Sequence, residues 1–447
     1  MKKRLIAGDF NSEKFWRKKR LSKLPDIPNY SNDGIVLSMD EMLFPFCSKG
    51  DILATRFNFD KPFGEYLSYI GFDFTSIQMD FQTTPEQNNQ SIYEIIGKDE
   101  LKRDYLKRIV GDDFSCDTYA IVPGYDNFIK KLGIDYKGSE INVVRKVNSK
   151  VFSSKLSQKL DFSFGGKVVN SHEQLIECGR KLLSVGAFII KDPFGVSGKG
   201  NVLVKSKKIL NLVANYLYKQ ELQGFISVFI LEPLLQKDLD FSCQIIIGDH
   251  GQIKLLGVQT MINHQFAYNG SCKASKEFVE FLKKKGYFSK MNLVAHALYC
   301  EGYTGEVCVD SMLLKSQIII PVIEINARKS MGFINSKIDN YLCGFNKLSR
   351  LSFLNLGFSG SIKFEDILAL MENQGLLFAS NHKEGILPLS SNTLFINRKL
   401  DSNYSAEKIY HGRLYFSVIS NNTESYQYLM IRFTELLDSL SLKIYSR

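Results

Sequence analysis

The 447-residue chain has no apolar run near the roughly 18–20 residues needed to cross a bilayer. Its longest candidates, such as Ile318–Ile325, are broken by Pro321 and Glu324 and read as buried strands. Met1–Asp9 carries two Lys and one Arg but no long apolar stretch after them, which argues against a signal peptide. No two of the eight Cys form a C-x-x-C pair, so zinc and dithiol redox motifs lack support. Scattered cysteines in apolar settings, such as Cys308 in Glu306-Val-Cys-Val-Asp310, suit reduced thiols in a cytoplasmic protein. Internal repeats and low-complexity tracts are missing too. The six His are dispersed, with no persuasive Ser/His/Asp or Cys/His set.

What is present is ordinary in bulk. The length favours two to four domains. A hydrophobic share of 44% and a charged share of 23% suit a soluble globular protein. The net charge of +10 is dispersed apart from Arg17-Lys18-Lys19-Arg20 with Lys23. That cluster reads as a solvated helix face in preference to a nucleic-acid site, because aromatic interleaving and a helix-turn-helix pattern are missing.

Along the chain, residues 1–145 alternate short apolar runs (Gly34–Leu37, Ile52–Thr55, Ile70–Phe72, Tyr119–Val122) with polar helical segments such as Ser91–Val110. This alternation predicts an α/β domain. Next come a Lys167–Val169 strand, an Asn170–Glu173 capping signal, strands Ala187–Lys191 and Asn201–Val204 forming a hairpin, and a helix Lys207–Leu222. Strands are expected at Ile226–Leu231, Asp240–Ile247, Ile253–Gln259, Gly305–Val309, and in the pair Met312–Leu314 and Ile318–Ile325. The last hundred residues, with helices Phe364–Glu372 and Ser425–Leu442 and a strand Arg413–Ile419, look like an appended lobe.

Chemistry concentrates in two places. In Lys191-Asp-Pro-Phe-Gly195-Val-Ser197-Gly198-Lys199-Gly200, three glycines within six residues permit positive φ and close backbone approach. Consecutive N–H groups then form an anion nest, with Ser197 adding a hydroxyl and Lys191 an ammonium. The spacing fits neither a Walker A loop nor G-x-G-x-x-G, and the H-R-D and D-F-G of a protein kinase are missing. The second place is Gly305-Glu-Val-Cys-Val-Asp310, followed by Glu324-Ile-Asn326-Ala-Arg328. Carboxylates in apolar strands cost several kcal/mol unless paired or metal-bound. Asn326 and Arg328 share the strand face of Glu324. Asp310, Glu324 and Asn326 suit Mg²⁺, and Arg328 suits a carboxylate or phosphoryl group held in two-pronged fashion. Between them, Phe229–Leu235 and Asp240 can offer a strand-end connector to an adenine edge and a carboxylate to ribose.

Taken in order from Asn148-Ser-Lys150 to Gly332, these segments resemble the ATP-grasp superfamily. The stretch Glu324-Ile-Asn-Ala-Arg-Lys-Ser-Met-Gly332 and the domain lengths look more narrowly like peptide or amide ligases of natural-product biosynthesis with a variant pre-ATP-grasp domain. The resemblance implies an α/β (α+β) ATP-grasp fold. Its parts would be an N-terminal α/β domain (1–145), a central and lid subdomain (146–231), a subdomain with the metal ligands (232–345) and a C-terminal extension (346–447). ATP and Mg²⁺ or Mn²⁺ would be the cofactors. Lys150 and Lys191 would contact the α- and β-phosphates, and Gly195, Ser197, Gly198, Lys199 and Gly200 would close over them. Glu232, Leu234 and Leu235 would hold adenine, Asp240 the ribose, and Asp310, Glu324 and Asn326 the metal. Arg328 would stabilise the acyl phosphate or its tetrahedral successor.

The implied reaction is ADP-forming: a carboxylate becomes an acyl phosphate and is joined to an amine. Small-molecule or peptide acids and amines would be its substrates, a carrier protein and a homodimer being compatible, with no membrane or nucleic-acid partner expected. Rival readings are a phosphotransferase, a ligase acting on a carrier thiol, and a nucleotide-binding regulatory protein without turnover. Two departures from the superfamily stand out: Lys191-Asp192-Pro193 in place of Lys-Pro, and Cys308 where many relatives carry a basic residue. Lys273, in the segment His264–Lys276, is a candidate substitute.

Overall fold

A computed structural model describes residues 3–26, 30–77, 89–111, 114–134, 138–162, 164–195, 200–264, 267–343, 347–379 and 384–446. Their strands form three sheets. The first contains β1 (Lys3–Ala7), β2 (Ile52–Ala54), β3 (Thr75–Ile77) and β4 (Phe114–Thr118), parallel in the order β3-β2-β1-β4. Helices cover it, as a parallel sheet requires.

Only one of the four apolar runs expected in this region is a strand: Ile52–Thr55 supplies β2. Gly34–Leu37 ends a helix, Tyr30–Leu37, whose Ile35 and Leu37 bury against Phe57 and Ile396. Tertiary burial, not strand periodicity, explains its apolarity. Ile70–Phe72 follows the helix Lys61–Tyr69, and Tyr119–Val122 follows β4. The expected helix Ser91–Val110 is two helices, Ile92–Lys98 and Glu100–Val110, split where the Asp99 side chain caps the second by accepting from Lys102 N.

The second sheet contains β5 (Lys167–Val169), β6 (Phe188–Lys191), β7 (Asn201–Val204) and β8 (Phe229–Pro233), antiparallel in the order β5-β8-β6-β7. Helices His172–Leu183 and Lys207–Leu222 cover one face, giving it a small core of its own around Phe188, Leu210 and Phe229. All four β6 residues are buried, which suits the unbroken apolar run Phe188-Ile-Ile before Lys191.

The third sheet has nine described strands. These are β9 (Lys237–Ile247), β10 (Ile253–His264), β11 (Ala267–Lys273), β12 (Gly305–Leu314), β13 (Ile319–Asn326), β14 (Leu348–Phe358), β15 (Gly385–Pro388), β16 (Tyr410–Ser420) and β17 (Lys443–Ser446). They run β13-β12-β9-β10-β11-β14-β16-β15, with β17 on β14. Gly305–Val309 and Met312–Leu314, expected as separate strands, are one strand, β12, irregular beyond Asp310. Strand β14 pairs directly with β11, so residues 348–446 continue the sheet that carries Asp310 and Glu324. A single large core joins this sheet to the parallel one. No helix among the described residues is long and apolar enough to cross a membrane.

Candidate active site

A cavity of about 1290 Å³ opens where the three sheets meet. It is lined by Lys150, Lys191, Glu232, Asp240, Asp310, Glu324, Asn326 and Arg328, and also by Glu13, Tyr119 and Arg413.

The acidic wall follows from strand register. Asp310 on β12 stands opposite Glu324 on β13, and Cys308 stands opposite Asn326. Cross-strand partners share a face, so all four side chains meet on one side of the sheet. Asn326 Nδ2 donates to Asp310 Oδ2 at 3.0 Å. Burial, and then the neighbouring Glu324 charge, push the Asp310 carboxyl up to about 7. Two carboxylates and a neutral amide, one of the acids strained towards its protonated form, make a donor set that fits a hard dication.

Lysines face this wall. The helix Lys150–Lys159 begins beside the hairpin: Lys150 N donates to Pro193 O at 3.0 Å. Lys150 Nζ ion-pairs with Glu324 and donates to Gly195 O at 2.6 Å. Lys191, at the end of β6, lies diagonally across from Glu232 on β8 and pairs with it at 2.5 Å. At Gly200, φ is +80° and an added Cβ would lie 3.0 Å from Asp192 Cβ, so both conformation and space favour glycine. Ser197, Gly198 and Lys199 lie outside the described residues.

The connector after β8 departs from expectation in one respect. Leu234 N donates to Ala187 O at 2.9 Å, so that amide is already committed within the second sheet. Leu234 and Leu235 nevertheless line the cavity. Asp240 Oδ2 accepts from Lys237 at 2.5 Å and from Asn263 Nδ2 at 2.7 Å.

Arg328 lies just past β13, and its partners were not foreseeable. Its Nε and Nη2 donate to Glu13 Oε1 at 2.8 and 2.5 Å, Nη1 donates to the Tyr119 hydroxyl at 3.1 Å, and Nη2 donates to Asn326 Oδ1 at 3.1 Å. Lys329 turns the other way, to Asp117 and Glu306, tying the same chain segment to β4. Arg17, expected on a solvated face, pairs with Asp192 at 2.5 Å beside the Gly-rich turn. The Cys308 thiol, buried and beside Asp310, is pushed up to about 12 and brings no positive charge. Lys273 does not replace one: it is exposed at the end of β11, among neighbours that include Asp339, and is not part of the cavity lining.

Comparison with solved structures identifies this architecture. N5-carboxyaminoimidazole synthetase from Staphylococcus aureus, complexed with ADP, superposes with a TM-score of 0.51 at 13% identity, covering 96% of each chain. The biotin carboxylase domain dimer of Hydrogenobacter thermophilus 2-oxoglutarate carboxylase, complexed with MgADP, ADP and bicarbonate, gives 0.53 at 11% identity, covering 99% of this chain and 90% of that one. The chain has the ATP-grasp fold. Strands β5–β8 form a sheet of their own and β12–β13 carry the acidic wall. No family model matches the chain. Over 202 residues it is 25% identical to a [butirosin acyl-carrier protein]–L-glutamate ligase of Niallia circulans, a match covering 44% of this chain and 46% of that protein. The match thus spans under half of the curated relative's length.

Proposed function

We propose that this chain is an ATP- and Mg²⁺-dependent ligase that activates a carboxylate as an acyl phosphate and joins it to an amine, releasing ADP and phosphate. The observation carrying this reading is the cross-strand pair Asp310/Glu324, with Lys150 on Glu324 and Arg328 on Asn326, at one wall of a large cavity in an ATP-grasp fold.

Asp310, Glu324 and Asn326 would hold Mg²⁺, which supplies charge neutralisation for the phosphates of ATP when bound. Lys150 and Lys191 steady the α- and β-phosphates, with Gly195 and Gly200 beside them. Glu232, Leu234 and Leu235 border the adenine, and Asp240 faces the ribose. A substrate carboxylate attacks the γ-phosphorus; an O–P bond forms as the bond to ADP breaks. The amine then attacks the acyl carbon and phosphate leaves. Arg328, whose N–H groups are taken by Glu13, Tyr119, Asn326 and Lys329 O, would act on the charge that develops there through its field or after exchanging a partner. The reaction needs no side-chain nucleophile. Segments 1–145, 146–231, 232–345 and 346–447 are the units we propose for this work.

The 25%-identical relative supports a second reading, in which one substrate is carried on an acyl-carrier protein. A single assay addresses both: ADP and phosphate release with free amines, and with a thiol-loaded carrier. Retention of phosphate on the product would sink the ligase reading in favour of a phosphotransferase.

A further inference from the structure

The same cavity has another wall, built by β14 and β16. Arg413, near the start of β16, faces it with Tyr415, Phe353 and Asn355. The Arg413 guanidinium lies 4.5 Å from the Phe353 ring centre and 5.7 Å from that of Tyr415. Nε donates to Asn355 Oδ1 at 2.9 Å, Nη1 to the Tyr415 hydroxyl at 3.0 Å, and Nη2 to Asn32 Oδ1 at 3.2 Å.

All three acceptors are neutral. Six other cations of the lining pair with carboxylates: Arg17 with Asp192, Lys150 with Glu324, Lys191 with Glu232, Lys237 with Asp240, Arg328 with Glu13 and Lys408 with Asp401; Lys14 and Lys23 also line the cavity. Arg413 has no carboxylate partner among the described residues. Three of its five N–H donors are engaged, which leaves one on each terminal nitrogen. A planar guanidinium held by rings and neutral acceptors, with its charge unmatched and its remaining donors on both terminal nitrogens, is suited to a two-pronged oxyanion.

We propose that Arg413 holds a second, non-reacting oxyanion on a substrate other than ATP, either a free carboxylate or a phosphate ester. This inference rests on the ligase reading and narrows it: one of the two joined compounds keeps an anionic group that is not consumed. The reacting carboxylate is a different group, placed by the ligase reading beside the Asp310/Glu324 wall.

The test uses the full chain with Arg413→Gln and Arg413→Lys. ADP release is followed with saturating MgATP and a panel of the twenty amino acids, C3–C6 dicarboxylates, their mono-amides and methyl esters, and pantetheine with and without its phosphate. MgATP affinity is measured separately by calorimetry and is expected to be unchanged in both variants, which also reports folding. The expected result is an anionic compound whose KM rises on the order of 10- to 100-fold in Arg413→Gln, while kcat moves little. Arg413→Lys should recover part of the loss, and the neutral analogue's KM should not move. The carboxylate and phosphate arms identify the source of the oxyanion. If acid and amide behave alike in the wild type, if Arg413→Gln raises both KM values equally, or if no anionic compound promotes ADP release, the inference is overturned while the ligase reading stands on MgATP binding. If the wild-type chain does not bind MgATP, both fall.

Discussion

The two ends of the cavity follow opposite electrostatic plans. Beside β6, β8 and β13 the cations are matched by acids: Lys150 with Glu324, Lys191 with Glu232, Arg17 with Asp192. At the far end Arg413 is surrounded by rings, amides and a hydroxyl. The paired end is close to neutral by itself. An anion arriving with its own dication can exchange partners there without leaving a buried charge unmatched, with lysines turning to phosphate and carboxylates to metal. A bare anion would leave the carboxylates alone. The far end carries one uncompensated positive charge and needs only an anionic group to balance it.

The most damaging way to test this contrast is to dismantle the acidic wall. Glu324→Ala with Asn326→Ala should lower ATP turnover by roughly a thousandfold or more, the scale on which charge-stabilising groups act in phosphoryl transfer. ADP release at saturating Mg²⁺ measures it, and wild-type rates would show that no metal is held there. Glu13→Ala comes next. It strands the buried Arg328 guanidinium, and breaking a buried ion pair costs about 3–5 kcal/mol. Arg413→Gln leaves no buried charge unpaired and should cost about 1 kcal/mol or less, mostly lost ring contact. Denaturant midpoints with unchanged slopes compare the two; equal losses would erase the distinction between the ends. Lys191→Met should weaken MgATP binding by about 10- to 100-fold, the value of a charge-assisted hydrogen bond. Removing Mg²⁺ with a chelator should weaken ATP binding in the wild type at least as much, because a bare anion cannot exchange with the paired set.

How much of this could be read from the sequence follows the same division. The β6–β7 hairpin, the helix Lys207–Leu222 and the strands bearing Asp310 and Glu324 were legible because each is set by local periodicity and short turns. Asn326 was placed on the face of Glu324 by the two-residue period alone. The partners of Arg328 were not legible: Glu13 lies 315 positions away, and no spacing rule brings it near. Arg17 looked like one of several surface cations because Asp192, its partner, lies 175 positions away. Arg413 opened a recognised strand, but its meaning depends on the absence of an acid among neighbours supplied by β14 and by Asn32. The C-terminal segment looked appended because β11 and β14, which join it to the acidic sheet, were not recognised as strands.

The pH dependence is the effect most specific to the paired end. The Asp310 carboxyl rises from 3.8 to about 7 because it is buried beside Glu324. A raised folded-state value means the native chain holds the proton more tightly than the unfolded chain does. This group's contribution to metal-free stability is therefore full in acid and is lost as pH climbs from about 4 through 7. Mg²⁺ requires the carboxylate, so the metal competes with that proton. Apparent Mg²⁺ affinity should then be nearly flat above pH 8 and fall below pH 7, approaching tenfold per pH unit in the acid limb. Added Mg²⁺ should reverse the stability loss at alkaline pH. Calorimetric Mg²⁺ titrations at pH 6, 7 and 8, with the nucleotide held saturating, would report this. Asp310→Asn should bind metal more weakly at every pH and show a flatter slope, because the competing proton is gone. An unchanged slope in that variant would place the titrating group elsewhere, and the tension between Asp310 and Glu324 would then have no part in metal binding.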